Sequence, residues 1–233
     1  MANLSAIITG AGRGIGRATA VELSRLGYRV GLMARTESEL KETARLCGPG
    51  ALVLPADVAD ASAAAGVVAR AKQGFGSIDA FIHNAGTAPV AEIDKLTPDQ
   101  WRAIIDTNLS AAYYFCRELW PIWRIQGHGT VVLISSVAAR NPFMGLTAYG
   151  AAKAGLNALG LGLAREGAAI GVRVHTIAPG AVETQMLRGV VSKEQVPTEK
   201  SLDPKDVAEV IVQCVRGELR YTSGEVIYVH KTV

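Results

Sequence analysis

Short runs of consecutive apolar residues alternate along this chain with longer stretches in which apolar positions return every three or four residues. The first pattern predicts buried strands and the second amphipathic helices. Strands are predicted over Leu4–Thr9, Arg29–Ala34, Ala51–Pro55, Ile78–His83, Val131–Ile134, Val172–Ile177 and Glu225–Val229. Helical spacing runs through Ala18, Val21, Leu23 and Leu26, then over Glu37–Leu46 and Ala61–Lys72. Thr97-Pro98 starts a long helix reaching about Gln126, with Trp101, Ile104, Ile105, Leu109 and Phe115 at helical spacings. Thr147, as an N-cap, opens another, and Asp203–Val215 is the last, with Pro204 near its first position. Such alternation predicts the α/β class: a doubly wound, mostly parallel seven-stranded sheet with helices on both faces, in a single domain over residues 1–233. Residues 181–202 show no clear period; Met186, Leu187 and Val190 beside charged residues suit a lid that orders over substrate, or a plain surface loop.

Composition narrows the function more than the fold. The 233 residues are 49% hydrophobic with only 6% aromatic, and rich in Gly and Ala, which suits helices packed closely on a sheet. A net charge of +3, with basic residues scattered, argues against nucleic acid and against a polybasic membrane patch. Cys47, Cys116 and Cys214 form no C-x-x-C pair and are expected to be reduced core residues; no metal is expected. No apolar run reaches the length of a membrane span, and the first strand starts without a charged leader, so a cytoplasmic location is expected.

Three stretches carry chemistry. Gly10-Ala11-Gly12-Arg13-Gly14-Ile15-Gly16 joins the first strand to the first helix; glycines let backbone N–H groups approach a pyrophosphate, and the helix N-terminus favours its charge. The second strand ends in Ala34-Arg35-Thr36, with no acid to bind the 2′-hydroxyl of NAD. Arg35 and Arg13 are read as a two-sided clamp for the 2′-phosphate of NADP(H), the alternative being two surface arginines. Asp57, after the third strand, is either an adenine contact or a loop cap, and Asn84-Ala85-Gly86 either leaves room for a ligand at a strand end or is a turn. The third stretch is Val131–Gly167, which holds Ser135, Ser136, Tyr149 and Lys153. Tyr149 and Lys153 lie one helical turn apart, so an ammonium sits near a phenol and draws its pKa towards neutrality, where it can exchange protons with an alcohol or carbonyl. Asn108, in mid-helix, either faces water or is held for a hydrogen-bonding task.

Taken together these motifs resemble the short-chain dehydrogenase/reductase family over almost the whole chain. Thr9-Gly10-x-x-x-Gly14-Ile15-Gly16 is similar to its cofactor turn, Asp57 to its adenine contact, Asn84-Ala85-Gly86 to its sheet motif and Pro179-Gly180 to the motif after its sixth strand. Ser136, rather than Ser135, precedes Tyr149 by the family's spacing, and Asn108 matches the Asn of its catalytic tetrad. The resemblance implies a Rossmann fold and an NADP(H)-dependent oxidoreductase acting on a ketone or a secondary alcohol with an apolar portion. Tyr149 is then the general acid or base, Ser136 binds the substrate oxygen, Lys153 lowers the phenol pKa and binds the nicotinamide ribose, and Asn108 holds a relay water. It also implies cofactor contacts from Val58, Val182 and Thr184, and a pocket of Pro142, Phe143, Met144, Val182, Met186 and Leu187. A homodimer or homotetramer is expected, with Gly155, Gly160, Gly162 and Ala164 letting helices of two copies approach. His83 and His175 stand where the family often has Asn. Reductases of acyl groups on acyl carrier protein often carry arginines where this chain has Gly127 and Ile170. A carrier-protein substrate is therefore an alternative resting on nearby Arg124, His128 and Arg173. An NADP(H)-binding sensor without turnover is the alternative of another class.

Overall fold

Along the first strand Ile7 packs into one apolar cluster while Ala6 and Ile8 pack into another, because successive side chains of a strand point to opposite faces of its sheet. Both clusters are buried, so the sheet is covered on both sides. The computed structural model describes residues 4–231; residues 1–3 and 232–233 of the expected domain lie outside the described residues. Strands β1 (Ser5–Thr9), β2 (Arg29–Ala34), β3 (Ala51–Pro55), β4 (Ala80–His83), β5 (Gly129–Ile134), β6 (Val172–Pro179) and β7 (Val226–Val229) form one sheet. Its order is β3-β2-β1-β4-β5-β6-β7, and every neighbouring pair is parallel. The chain reverses direction across the sheet between β1 and β4, which opens a crevice at their C-terminal ends.

Helices α1 (Gly14–Arg25), α2 (Glu37–Cys47) and α8 (Pro204–Arg216) cover the face that receives Ala6 and Ile8 through Leu23, Leu40, Val207 and Ile211. Helices α3 (Ala61–Phe75), α5 (Ala111–Gln126) and α6 (Thr147–Gly167) cover the other through Val67, Phe75, Phe115, Trp123 and Leu156. Some predicted borders move. Helix α3 runs on to Phe75, which is buried, and stops at Gly76 with φ +79. Strand β4 starts only at Ala80, because the Asp79 carboxylate is used to accept from the backbone N–H and hydroxyl of Ser5 and from the Ser77 hydroxyl. Strand β5 starts already at Gly129, whose missing side chain makes room for the Trp123 indole. Thr147 is the first residue of α6 rather than its cap; Leu146 holds the cap position.

The long helix expected from Thr97 is interrupted. Thr97 caps it with its side chain on the Gln100 N–H, α4 spans Pro98–Ile105, and a π turn over Asp106–Ser110 follows before α5 begins. A π turn winds in an extra residue, and such bulges gather at functional sites. Residues 181–202 contain α7 (Gln185–Val190) and a single 3-10 turn at Thr198–Lys200. Leu202 donates to the Ala181 carbonyl and Glu183 to the Leu202 carbonyl, so the two ends of this segment are joined side by side.

Candidate active site

The glycine turn, Arg35, Asp57, Asn84, Ser136, Tyr149 and Lys153 converge on one cleft of ≈ 1610 Å³ at the C-terminal ends of the strands. Its outer end is the glycine turn. Gly10 and Gly14 have φ +65 and +54, a region that side-chain-bearing residues rarely adopt. A Cβ at Gly16 would lie 2.2 Å from the Gly10 carbonyl oxygen, so only glycine lets α1 sit this close to the turn. The turn is also pinned from outside. Asn84 Nδ2 donates to the carbonyls of Thr9 and Gly10, and the Thr9 hydroxyl accepts from the N–H groups of both Asn84 and Ala85. Arg17 donates to Thr43 Oγ1 and to the Gly12 carbonyl, while Thr43 donates to the Ala11 carbonyl. These bonds draw the turn's carbonyls inward and leave a cradle fit for a pyrophosphate. Arg13 and Arg35 both line the cleft, Arg35 with Nη1 3.9 Å from Asp57 and Arg13 with Nη1 3.3 Å from Glu39. Asp57 also accepts from the Ala59 N–H, so the loop-cap role is present, and Asp60 rather than Asp57 caps α3.

At the inner end, β5 delivers Ser136 and α6 delivers Tyr149 and Lys153. Ser136 Oγ accepts from the Ala138 N–H and faces the Tyr149 hydroxyl. The neighbouring Ser135 is only 3% exposed and donates to the Lys153 carbonyl, which ties it to the scaffold. Lys153 is 2% exposed and its Nζ donates to the Ile134 carbonyl at 2.8 Å. Burial pushes this amine down to about 7. The expected lowering of the phenol is not what the protein produces: burial raises the Tyr149 pKa, and the Ser136 hydroxyl pulls it only part of the way back. Lys153 Nζ is 5.6 Å from the Tyr149 ring centroid and directed to Ile134, and the same desolvation weakens its own charge.

Asn108 sits in the π turn, fully buried. Its Nδ2 donates to the carbonyls of Thr87 and Ile104, and its Oδ1 accepts from the Thr87 N–H. Of the two readings open for a mid-helix Asn, hydrogen bonding is the one realised. A Cβ at Gly86 would meet Asn108 Oδ1 at 2.8 Å and Lys153 Nζ at 3.7 Å, so Gly86 leaves the space these groups share. His83 is also fully buried, with Nδ1 3.4 Å from Thr9 Oγ1, and burial together with Lys153 pushes it down to about 3. It is therefore a neutral ring.

The model of the short chain dehydrogenase family matches residues 5–195, a span that contains both ends of this cleft. The chain belongs to the short-chain dehydrogenase family. It is 34% identical over 229 residues to an acetoacetyl-CoA reductase of Rhizobium meliloti (strain 1021), covering 95% of each chain. It is 30% identical over 231 residues to the 3-oxoacyl-[acyl-carrier-protein] reductase FabG of Escherichia coli (strain K12), covering 97% of this chain and 95% of that one. A crystal structure of 3-ketoacyl-(acyl-carrier-protein) reductase from Brucella melitensis complexed with NADH superposes with a TM-score of 0.92 at 26% identity, covering 97% and 96%.

Within this short-chain dehydrogenase the expected site residues fall into three groups. Gly10, Gly12, Arg13, Gly14, Ile15, Arg35, Asp57, Val58, Asn84, Ala85, Gly86, Ser136, Tyr149, Lys153, Pro179, Gly180, Val182 and Thr184 line the cleft, as do Phe143, Met186 and Leu187. Gly16 and Asn108 lie behind it as packing and as scaffold. Pro142 and Met144 are not walls: Pro142 packs against Gly150, and Met144 is 86% exposed outside the cleft. Gly155 and Gly160 are not free for a second copy either, since they accommodate Leu109 and Thr176 of the same chain; Gly162 faces open space, and Ala164 is buried. The sequence reading missed Thr43, Glu39 and Gln185. Only Glu39 carried a signal, as the fourth residue of Thr36-Glu37-Ser38-Glu39.

Proposed function

We propose that this protein is an NADP(H)-dependent reductase of ketones with an apolar portion, 3-oxoacyl thioesters foremost, with the reverse reaction a dehydrogenation of the corresponding secondary alcohols. The observation that carries this is the convergence of Ser136, Tyr149 and Lys153 at the inner end of a cleft whose outer end is a glycine cradle flanked by two arginines. The names of the relatives, a reductase of acetoacetyl-CoA and one of 3-oxoacyl groups, support the substrate class. NADP(H) is favoured because the end of β2 offers Arg35, 79% exposed at its side chain, where a carboxylate would suit a ribose hydroxyl.

The nicotinamide, when bound, supplies or accepts the hydride. The chain's own work is with the proton and with position. Ser136 holds the substrate oxygen, and Tyr149 gives its phenolic proton to that oxygen in reduction or takes it in oxidation. A phenol kept protonated by burial is suited to acting as the acid. Lys153, poised at about 7, exchanges protons near neutrality, and Asn108, fixed by its bonds to Thr87 and Ile104, holds the polar path behind it. Phe143, Met186 and Leu187 give the apolar wall, and residues 181–202 act as a lid whose ends are joined where Val182 bridges to Leu202.

A carrier-protein substrate is less well supported. Of the three substitute residues, Arg173 donates to Thr130 and the His128 ring is hydrogen-bonded to Asp79, which leaves only exposed Arg124 to meet an acidic carrier. Exposed Trp101, Tyr113 and Leu161 support assembly with further copies. The deciding experiment is turnover of NADPH with a panel of 3-oxoacyl thioesters and ketones, for the wild type and for Tyr149→Phe. The variant is expected to bind NADPH normally and to lose about 10³-fold in turnover, within the range for general acid–base groups. Tight NADPH binding without hydride transfer to any member of the panel would instead make the protein a cofactor sensor.

A further inference from the structure

Among the described residues two helices close their first turn with a capping box. Thr97 and Gln100 do so at α4, and Asp203 and Asp206 at α8. At α2 the sequence Thr36-Glu37-Ser38-Glu39 has the same form, yet Thr36 makes no side-chain cap bond. The Glu39 carboxylate has left the helix end for another task. It lies against Gly12, where a Cβ would meet Glu39 Oε2 at 2.8 Å, and its Oε1 is 3.3 Å from Arg13 Nη1. The same Arg13 nitrogen donates to Gln185 Oε1 of α7, so Nη1 is engaged by two acceptors. Arg35, by contrast, has only the 3.9 Å approach of Asp57.

We infer that Glu39 is a specificity-determining residue of the outer end: it occupies Arg13 and the space over Gly12, and so restrains the preference for a 2′-phosphorylated cofactor that Arg35 provides. The inference rests on the NADP(H) reading above. A 2′-phosphate brings close to two negative charges and bids for guanidinium N–H groups. It must draw Arg13 from a carboxylate while approaching that carboxylate itself, whereas a ribose hydroxyl meets neither cost.

The test is fluorescence titration of NADPH and of NADH against the wild type, Glu39→Gln, Arg13→Met, the double variant and Arg35→Ala, with no substrate present. Glu39→Gln is expected to tighten NADPH about fivefold, the upper range for a part-exposed ion pair, and to leave NADH unchanged. In the Arg13→Met background the same substitution is expected to gain less, because only the repulsion between phosphate and carboxylate is then relieved. The inference is overturned if the ratio of NADH to NADPH dissociation constants is the same in Glu39→Gln as in the wild type, or if the gain is undiminished in the Arg13→Met background. The NADP(H) reading fails separately: the wild type would prefer NADH, and Arg35→Ala would leave its ratio unmoved.

Discussion

At the inner end of the cleft Asn108 and His83 are fully buried and Lys153 is 2% exposed, whereas at the outer end Arg13 and Arg35 leave 60% and 79% of their side chains in solvent. The inner groups have lost full charge: burial pushes Lys153 to about 7, where it is only partly protonated near neutrality, and His83 to about 3, where it is neutral, and each is fixed by hydrogen bonds to backbone or to a hydroxyl. The outer groups are full charges in ion pairs that water and salt screen. On the proposed function, desolvation sets protonation at the inner end, at a cost in stability, and exposed charge at the outer end tunes which cofactor enters at little cost. The two ends should respond to different perturbations.

The largest expected effect is at Lys153. Replacing it with Met should cut turnover at pH 7 by about 10²- to 10⁴-fold, the usual worth of a proton-transfer group. The same variant should be more stable than the wild type at pH 7. The amine is charged in the unfolded chain up to 10.5 and in the folded chain only up to about 7, so wild-type stability rises with pH between those values. Urea midpoints at pH 7 and pH 9.5 should differ in the wild type and converge in the variant. A variant that loses activity without gaining stability would mean the buried amine is not strained, and the contrast between the ends would weaken.

Arg35→Ala comes next. It should weaken NADPH binding about tenfold at low salt, leave NADH untouched, and lose most of its effect as salt is raised towards 1 M. A loss insensitive to salt would place Arg35 in a desolvated contact, like the inner groups. The smallest effect is expected from His83→Asn, in acid stability alone. His83 is held neutral down to about 3 when folded but protonates near 6.5 when unfolded, so it removes stability as pH falls through that window. His175, pushed down to about 4, does the same in β6. Relieving one of them should shift the acid unfolding midpoint, read by circular dichroism, to lower pH.

Sequence pattern was enough for β2 and β3, whose borders coincide with the apolar runs Arg29–Ala34 and Ala51–Pro55. It was enough too for the order of the motifs, because a glycine turn between strand and helix has few structural alternatives. It did not foresee Asp79 holding the edge of β4, since that carboxylate's partners Ser5 and Ser77 are set by the sheet and not by nearby sequence. The approach of Lys153 to Tyr149 follows from helical spacing, but the direction of the ammonium is set by the Ile134 carbonyl, which belongs to another element. Gly155 and Gly160 looked available to a partner because a glycine carries no mark of what fills the space beside it; here Leu109 and Thr176 do. Pro142 and Met144 belong to an irregular loop, where apolar character says nothing about which way a side chain turns.

The π turn at Asp106–Ser110 changes the phase of the helix that contains it. An α-helix advances about 100° per residue, so one additional residue wound into a turn rotates everything downstream by about that angle relative to an unbroken helix. Upstream of it, α4 lies against α6; downstream, α5 lies against α3 and sends Trp123 Nε1 to the Ile78 carbonyl. The two halves are keyed to different neighbours, and the turn is the angular offset that lets both keys fit. Deleting a residue there, Leu109 for example, would leave a helix of nearly the same length and composition. Yet either Asn108 would swing away from Thr87, or Trp123 would leave its slot beside Gly129.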